Sequence, residues 1–281
     1  VVFRGYRSRK KGIVESADPF LWGDEPALIK FLYPDVQVVI HPDRFTATRT
    51  IMNTFSPDII IYDDVFQYLR IKTHLPLLVT EFKNPFFNNS LFPLGTLRDI
   101  KEQCREARAV VFTYTPDPPP IPLLNNYKKI IEEKYGIKQS FFLSHTSKIL
   151  KIEDWVNKEW QKALSAFPPD IEELVVCCGI ANPHRFFVEV AGLSPPVCRL
   201  TPLFHRDHTT YTSRKISQLV KRIIGKGSRT ALCITEKDAI KMMNFDALRE
   251  ITVYVVVSRF ATMKDDNPFP SLVITAINNK L

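Results

Sequence analysis

Short runs of β-branched and aliphatic residues alternate with helix-length amphipathic stretches along almost the whole chain, and that alternation leaves few architectures open. Strands separated by helices pair side by side in parallel, which builds a sheet with helices on both faces. Strands are expected at 36–40, 59–62, 77–80, 109–112, 174–178, Arg199–Phe204, 231–235 and 253–257. Helices are expected at 43–55, where Pro42 and Asp43 mark the start, and at 97–107, 125–135 and Ser213–Ile224. The run at 59–62 is continuously apolar, the pattern of a central strand buried on both faces. The proline run PDPPPIP, 116–122, cannot lie inside a helix or a central strand and breaks the first block. The simplest division is an α/β lobe at 1–145, a linker at 146–170 and a second, smaller α/β lobe at 171–281.

At 281 residues, with 45% hydrophobic and 24% charged residues, the chain can bury a substantial core and is neither disordered nor fibrous. It carries 38 Lys plus Arg against 30 Asp plus Glu, a net charge of +8 that favours anionic partners. The densest basic cluster, 7–11, is short and close to the first strand, so no nucleic-acid partner is expected. The five cysteines are an odd set without a C-x-x-C pair and read as buried thiols in a reducing compartment. No run of some twenty apolar residues occurs, so membrane contact within these residues is expected to be peripheral. The opening VVF has the look of a buried strand without an initiator Met, and a truncated sequence is expected.

Three segments carry chemistry. PDIIIYDDVFQ delivers Asp63 and Asp64 to the C-terminal end of an apolar strand, the sheet edge where ligands bind. Adjacent acids there suit a nucleotide-bound Mg2+, which takes one or two carboxylates plus waters and phosphate oxygens; the alternative is a solvated loop with Asp63 capping the next helix. GDEP, 23–26, sets Asp24 and Glu25 at a helix start, which is also ordinary helix punctuation. FHRDHTTYT places His205, Asp207 and His208 after a strand. No nearby Cys or Glu completes a tetrahedral metal set, whereas a histidine held by a carboxylate is the usual apparatus of a general base. A structural role for these histidines stays open. No G-x-x-x-x-G-K-[ST] occurs; GKGS, 225–228, follows a basic helix and precedes a strand, the reverse of a phosphate cradle, and reads as a helix C-cap.

In this order, RGYRSRKKG from Arg4, GDEP, the Asp43–Arg44 pair, DDVFQ, LFPLGTLRD from Leu91, GIANPHRFF from Gly179, RDH from Arg206 and ITEKDAIK from Ile234 resemble the tetraacyldisaccharide 4'-kinase family of Gram-negative bacteria. The resemblance covers nearly the whole chain. It implies a P-loop-kinase-like α/β fold of parallel sheet flanked by helices, and transfer of the γ-phosphate of ATP to the 4'-hydroxyl of a lipid A precursor disaccharide to give lipid IV-A. It implies action at the cytoplasmic face of the bacterial inner membrane, with peripheral contact to its phospholipid. Family members carry a P-loop, usually behind a hydrophobic anchor; neither is in this sequence, so the piece alone would be incompetent as a kinase. By the same resemblance Asp24 matches the catalytic acid, His208 the histidine paired with it, and Asp63 and Asp64 the Mg2+ acids with Gln67 beside them. Glu25 and Arg44 fall at positions around nucleotide and phosphate, and Arg4 and Tyr6 at positions of substrate or nucleotide contact. The chain departs at Val65, where the family often has Gly, and at Thr209, where it often has a second His. The competing reading is a non-catalytic fragment or degenerate homologue that binds lipid or a partner.

Overall fold

The computed structural model describes residues 1–6, 8–68, 70–227, 229–262 and 269–278; Arg7 of the basic cluster and Ser228 of GKGS lie outside them. The first sixty residues form three short strands, β1 (Val2–Phe3), β2 (Gly12–Ile13) and β3 (Val39–Ile40), with β3 between a parallel β1 and an antiparallel β2. Between β2 and β3 run helices α1 (Pro19–Trp22) and α2 (Asp24–Leu32), and α3 (Arg44–Phe55) follows. As the sequence suggests, Asp43 is the cap of α3, its carboxylate accepting from Phe45 N at 3.1 Å.

Next come β4 (Leu77–Glu81), β5 (Ala109–Thr115), α4 (Ile121–Tyr135), β6 (Ser140–Lys151) and α5 (Ile152–Val156). The remainder alternates without interruption: β7 (Glu173–Cys178), α6 (Pro183–Leu193), β8 (Arg199–Phe204), α7 (Ser213–Ile224), β9 (Thr230–Thr235), α8 (Glu236–Met242), β10 (Val253–Thr262) and α9 (Phe269–Asn278).

Two compact units result. The first gathers residues 1–63 and 147–258, the second 64–146 and 259–281. This differs from a cut at 145 and 171: the N-terminal elements belong with the later strands, and the smaller unit is the middle of the chain plus its end. Nor are residues 146–170 a linker. They hold the end of β6 and all of α5, whose Trp155 is fully buried, stacks on Phe31 at 4.7 Å and donates to Glu236 Oε1 at 3.2 Å.

In the first unit β8, β7, β9 and β10 lie side by side in parallel. The Val, Ile, Leu and Cys of β7 and β9 are buried toward both faces, covered by α7 and α8 on one side and α6 on the other. On α7, Ile216, Leu219, Val220 and Ile223 face the core, while Arg214, Lys215, Lys221 and Arg222 are exposed. Gly225 ends that helix with its N–H on Lys221 O, so GKGS does serve as a C-terminus. In the second unit β4, β5 and β6 are parallel, and Phe82, Phe86, Phe87, Phe112, Tyr127 and Phe142 build an aromatic core beneath α4. Ile121 begins α4 with Pro122 in its first turn, so the helix starts inside the proline run rather than after it.

Three other expectations change. Residues 59–62 form no strand: a single bridge joins Tyr62 to Val2, and Ile59 and Ile61 are 50% and 60% exposed, because β1 is a neighbour on one edge only. The strand at 36–40 shortens to β3, and the helix at 97–107 to a 3-10 turn over Lys101–Glu106. Of the five thiols, four are buried and all are free; burial pushes Cys177 and Cys178 up to about 12, which leaves them protonated and inert.

One buried charge sets an acid limit on stability. Burial alone would raise the Glu173 carboxyl, but hydrogen bonds from Lys226, Thr201 (2.6 Å) and Arg199 (2.5 Å) outweigh it and hold the group at about 2, against an ordinary 4.5. A depressed carboxylate stabilises the fold above its unfolded value and loses that contribution as pH falls through the folded one. Thermal melts of the chain should therefore lose about 3 kcal/mol between pH 4.5 and 2 that a Glu173→Gln variant does not lose. Parallel pH curves for the two would contradict the assignment.

Candidate active site

Helix α2 begins at Asp24, with Gly23 as its cap at φ 87, a backbone that suits glycine. Asp24 is thus the first helical residue and not the cap, and its side chain is used elsewhere: Oδ2 lies 3.1 Å from Nδ1 of His208. Opposite it, β8 runs into the RDH loop. His205 N–H donates to Cys178 O, Thr209 N–H and Oγ1 both donate to Arg206 O, and His208 N–H donates to Gly179 O at 3.1 Å. These bonds hold His208 at φ 57, a left-handed conformation unusual for a residue with a Cβ. A Cβ on Gly179 would stand 3.2 Å from Arg206 O and 3.3 Å from Thr209 Cβ, so glycine lets the two loops approach.

The imidazole edge meets the Tyr6 ring at 5.6 Å between centroids, and Asp207 Oδ2 sits 3.6 Å from Nε2, beyond hydrogen-bond length. Asp24 and His208 open on a cavity of about 150 Å³ lined also by Tyr6, Arg9, Phe20 and Lys241. His205 is placed apart, edge-on to Tyr211, with its pKa lowered by burial; it belongs to the packing of the loop.

Behind the couple lies a buried polar group that sequence reasoning did not single out. Asp238 on α8 accepts from Gly179 N–H (3.1 and 3.3 Å), Tyr211 Oη (3.0 Å) and Thr235 Oγ1 (2.7 Å). Lys241 Nζ lies 3.0 Å from Asp238 and 3.4 Å from Asp24, close charge contacts in which the buried ammonium makes no well-aimed hydrogen bond. The signal was present as Asp and Lys three apart in ITEKDAIK, one face of a helix.

The remaining expected residues are placed as follows. Glu25, next to Asp24, is bonded to Lys237. Arg44 is buried at the start of α3 and donates to the Asp63 carbonyl at 3.3 Å. Asp63 is exposed, and the described residues after it run as bends and turns to β4, so it has no following helix to cap. Asp64 is exposed, and both its oxygens accept from Arg98, at 2.6 and 2.9 Å. Gln67 and Arg4 are exposed. Among the described residues no three His, Cys, Asp or Glu gather as a metal cage. Two adjacent exposed carboxylates nevertheless fit Mg2+, which keeps most of its shell as water and phosphate. Asp64 would have to release one Arg98 contact to take part.

Fold and couple together define a class: an α/β protein with a carboxylate–imidazole pair opening on a small polar cavity, equipment suited to taking a proton from a hydroxyl. A family model for tetraacyldisaccharide-1-P 4'-kinase matches residues 1–278, and the chain belongs to that family. It is similar to the tetraacyldisaccharide 4'-kinase of Pelobacter propionicus, 27% identical over 268 residues that cover 92% of this chain and 65% of that protein. To the Porphyromonas gingivalis enzyme it is 29% identical over 252 residues, covering 86% and 67%. The chain thus spans about two thirds of the length of the curated relatives it matches. A crystal structure of LpxK from Aquifex aeolicus in complex with ATP has the same fold, with a TM-score of 0.63 and 20% identity over 98% of this chain and 78% of that one.

Proposed function

We propose that the protein moves the γ-phosphate of ATP onto the 4'-hydroxyl of tetraacyldisaccharide 1-phosphate. The observation that carries this reading is the Asp24–His208 contact at the mouth of a polar cavity, in a chain of this family. The hydroxyl oxygen forms a bond to the γ-phosphorus, the bond to the bridging oxygen breaks, ADP leaves, and the hydroxyl proton passes to the couple. A carboxylate only accepts, so Asp24 takes the hydrogen of Nδ1 and leaves Nε2 as the acceptor nitrogen. Asp207 Oδ2 lies 3.6 Å from that nitrogen. Bound Mg2+ would neutralise charge on the phosphate oxygens, with Asp63 and Asp64 as its protein ligands. Arg44, Glu25 and Gln67 are assigned to the nucleotide side, and Arg4 and Tyr6 to the substrate side. The competing reading, a non-catalytic fragment or degenerate homologue that binds lipid or a partner, is separated from this one by an assay of phosphate transfer.

The test is transfer of labelled γ-phosphate by the natural protein that contains these residues. Label should reach the disaccharide lipid and not its 4'-deoxy analogue; label released only to water, or no turnover, would overturn the reading. Asp63→Asn and Asp64→Asn should each raise the apparent KM for Mg-ATP about tenfold or more while leaving lipid binding intact. Equal loss of lipid binding in a direct assay would contradict that division of roles.

Peripheral contact with phospholipid at the cytoplasmic face of the bacterial inner membrane is part of the same proposal. Its support is the net charge of +8 and the loop from Leu91, where Phe92 and Leu94 are 80% and 91% exposed. No helix among the described residues is long and apolar enough to cross a membrane.

A further inference from the structure

Two charged side chains of α8 stand behind the couple without a part in the reaction just described. Asp238 is fully buried and the Lys241 side chain is 3% exposed. A buried ammonium is costly unless carboxylates compensate it, and here there are two: Asp238 at 3.0 Å and Asp24 at 3.4 Å, with the Tyr211 ring 5.4 Å beneath. Asp238 is itself fixed by Gly179 N–H, Tyr211 Oη and Thr235 Oγ1. Gly179 in turn takes the His208 N–H on its carbonyl. Both halves of the couple are therefore tied to one carboxylate: Asp24 through Lys241, His208 through Gly179.

We propose that Lys241, ion-paired with Asp238, is a positioning residue that keeps the Asp24 carboxylate turned toward Nδ1 of His208, so that the imidazole keeps one tautomer with Nε2 as proton acceptor. This rests on the proposed role of the couple and adds to it the group that sets its geometry. The other charged or titratable groups facing the couple are Asp207 beside Nε2, Tyr6 and Arg9 across the cavity, Glu25 with its partner Lys237, and His205 and Tyr211 behind the loop. Among the described residues, Lys241 is the one Lys or Arg ion-paired with Asp24. Without that ion pair the Asp24 carboxylate is free to turn away from Nδ1, and the imidazole is no longer held to the tautomer that leaves Nε2 as acceptor.

The test is labelled phosphate transfer in the natural protein together with 15N-histidine spectra. Lys241→Met/Asp238→Asn removes both charges and leaves no uncompensated ion. Its kcat should fall about tenfold with KM for Mg-ATP within about twofold of the parent, and its His208 should divide between the two tautomers. A folded double variant with the parent's kcat and tautomer overturns the proposal. Should that variant not fold, the parent decides: 15N-histidine spectra, with His208 assigned by its absence in His208→Gln, should show the Nδ1–H tautomer, and an Nε2–H tautomer overturns the proposal. If Asp24→Ala and His208→Ala turn over normally, the couple itself has been misassigned, which is a separate failure from a double variant that behaves as the parent.

Discussion

Replacing either Asp24 or His208 by Ala is expected to lower kcat for phosphate transfer by about a hundred- to ten-thousand-fold, the range typical of losing a positioned proton acceptor. The geometry gives each residue its own reason. Without His208 the acceptor nitrogen is gone, while Asp24 keeps Lys241 as a partner. Without Asp24 the imidazole loses the contact at 3.1 Å that fixes its tautomer, and Lys241 keeps Asp238. KM for Mg-ATP should change little in either variant, because a proton acceptor contributes in the transition state and not to nucleotide binding. Steady-state kinetics at saturating lipid separates the two parameters. A variant with normal kcat and raised KM would turn the couple into a binding contact.

The second large effect is on stability. Asp238→Ala should destabilise the protein by about 3–5 kcal/mol, the cost of leaving a buried charge without its partner. Lys241 would be left with Asp24 alone at 3.4 Å, and the Gly179 N–H and Tyr211 hydroxyl would lose their acceptor in the buried interior. Burial already drives the Tyr211 phenol well above its ordinary range, a sign of how little solvent reaches this point. Adding Lys241→Met to Asp238→Ala should recover part of the loss, since removing both ions is cheaper than stranding one. Urea unfolding of the three variants measures this. An Asp238→Ala protein within about 1 kcal/mol of the parent would mean that the site relaxes or hydrates in a way the geometry does not suggest.

Much of the later fold was legible because each element there announces itself locally. Residues 174–178, Arg199–Phe204, Ser213–Ile224, 231–235 and 253–257 all fall within observed strands and helices, each an apolar run or amphipathic stretch bounded by a cap or turn. Asp43 as the cap of α3 was visible for the same reason. The apolar run at 59–62 misled because four apolar residues say nothing about how many neighbours they have; here there is one short bridge, and the exposed Ile59 and Ile61 follow from that. The stretch 146–170 misled because Trp155 is buried by Phe31, a residue more than a hundred positions away.

At the site, the motifs GDEP and RDH could be found in the sequence, but their contact joins residues 184 apart and is a property of the fold alone. Lys241 was hidden for a physical reason. A lysine beside apolar residues on a helix ordinarily extends its charge to water, and the carboxylates of Asp238 and Asp24 make an interior ammonium tolerable here. The paired acids Asp63 and Asp64 were easy to see, whereas the Arg98 fork on Asp64 depends on a loop 34 residues further on.

The central claim is that Asp24 and His208 accept the hydroxyl proton as one unit, and a double-mutant cycle tests it most directly. Rates of labelled phosphate transfer are measured for the parent, Asp24→Ala, His208→Ala and the double variant. Residues that act together lose their function once, so the double variant should be no slower than the slower single, within about threefold. A double variant slowed by the full product of the two single effects would show two independent groups and would contradict the account.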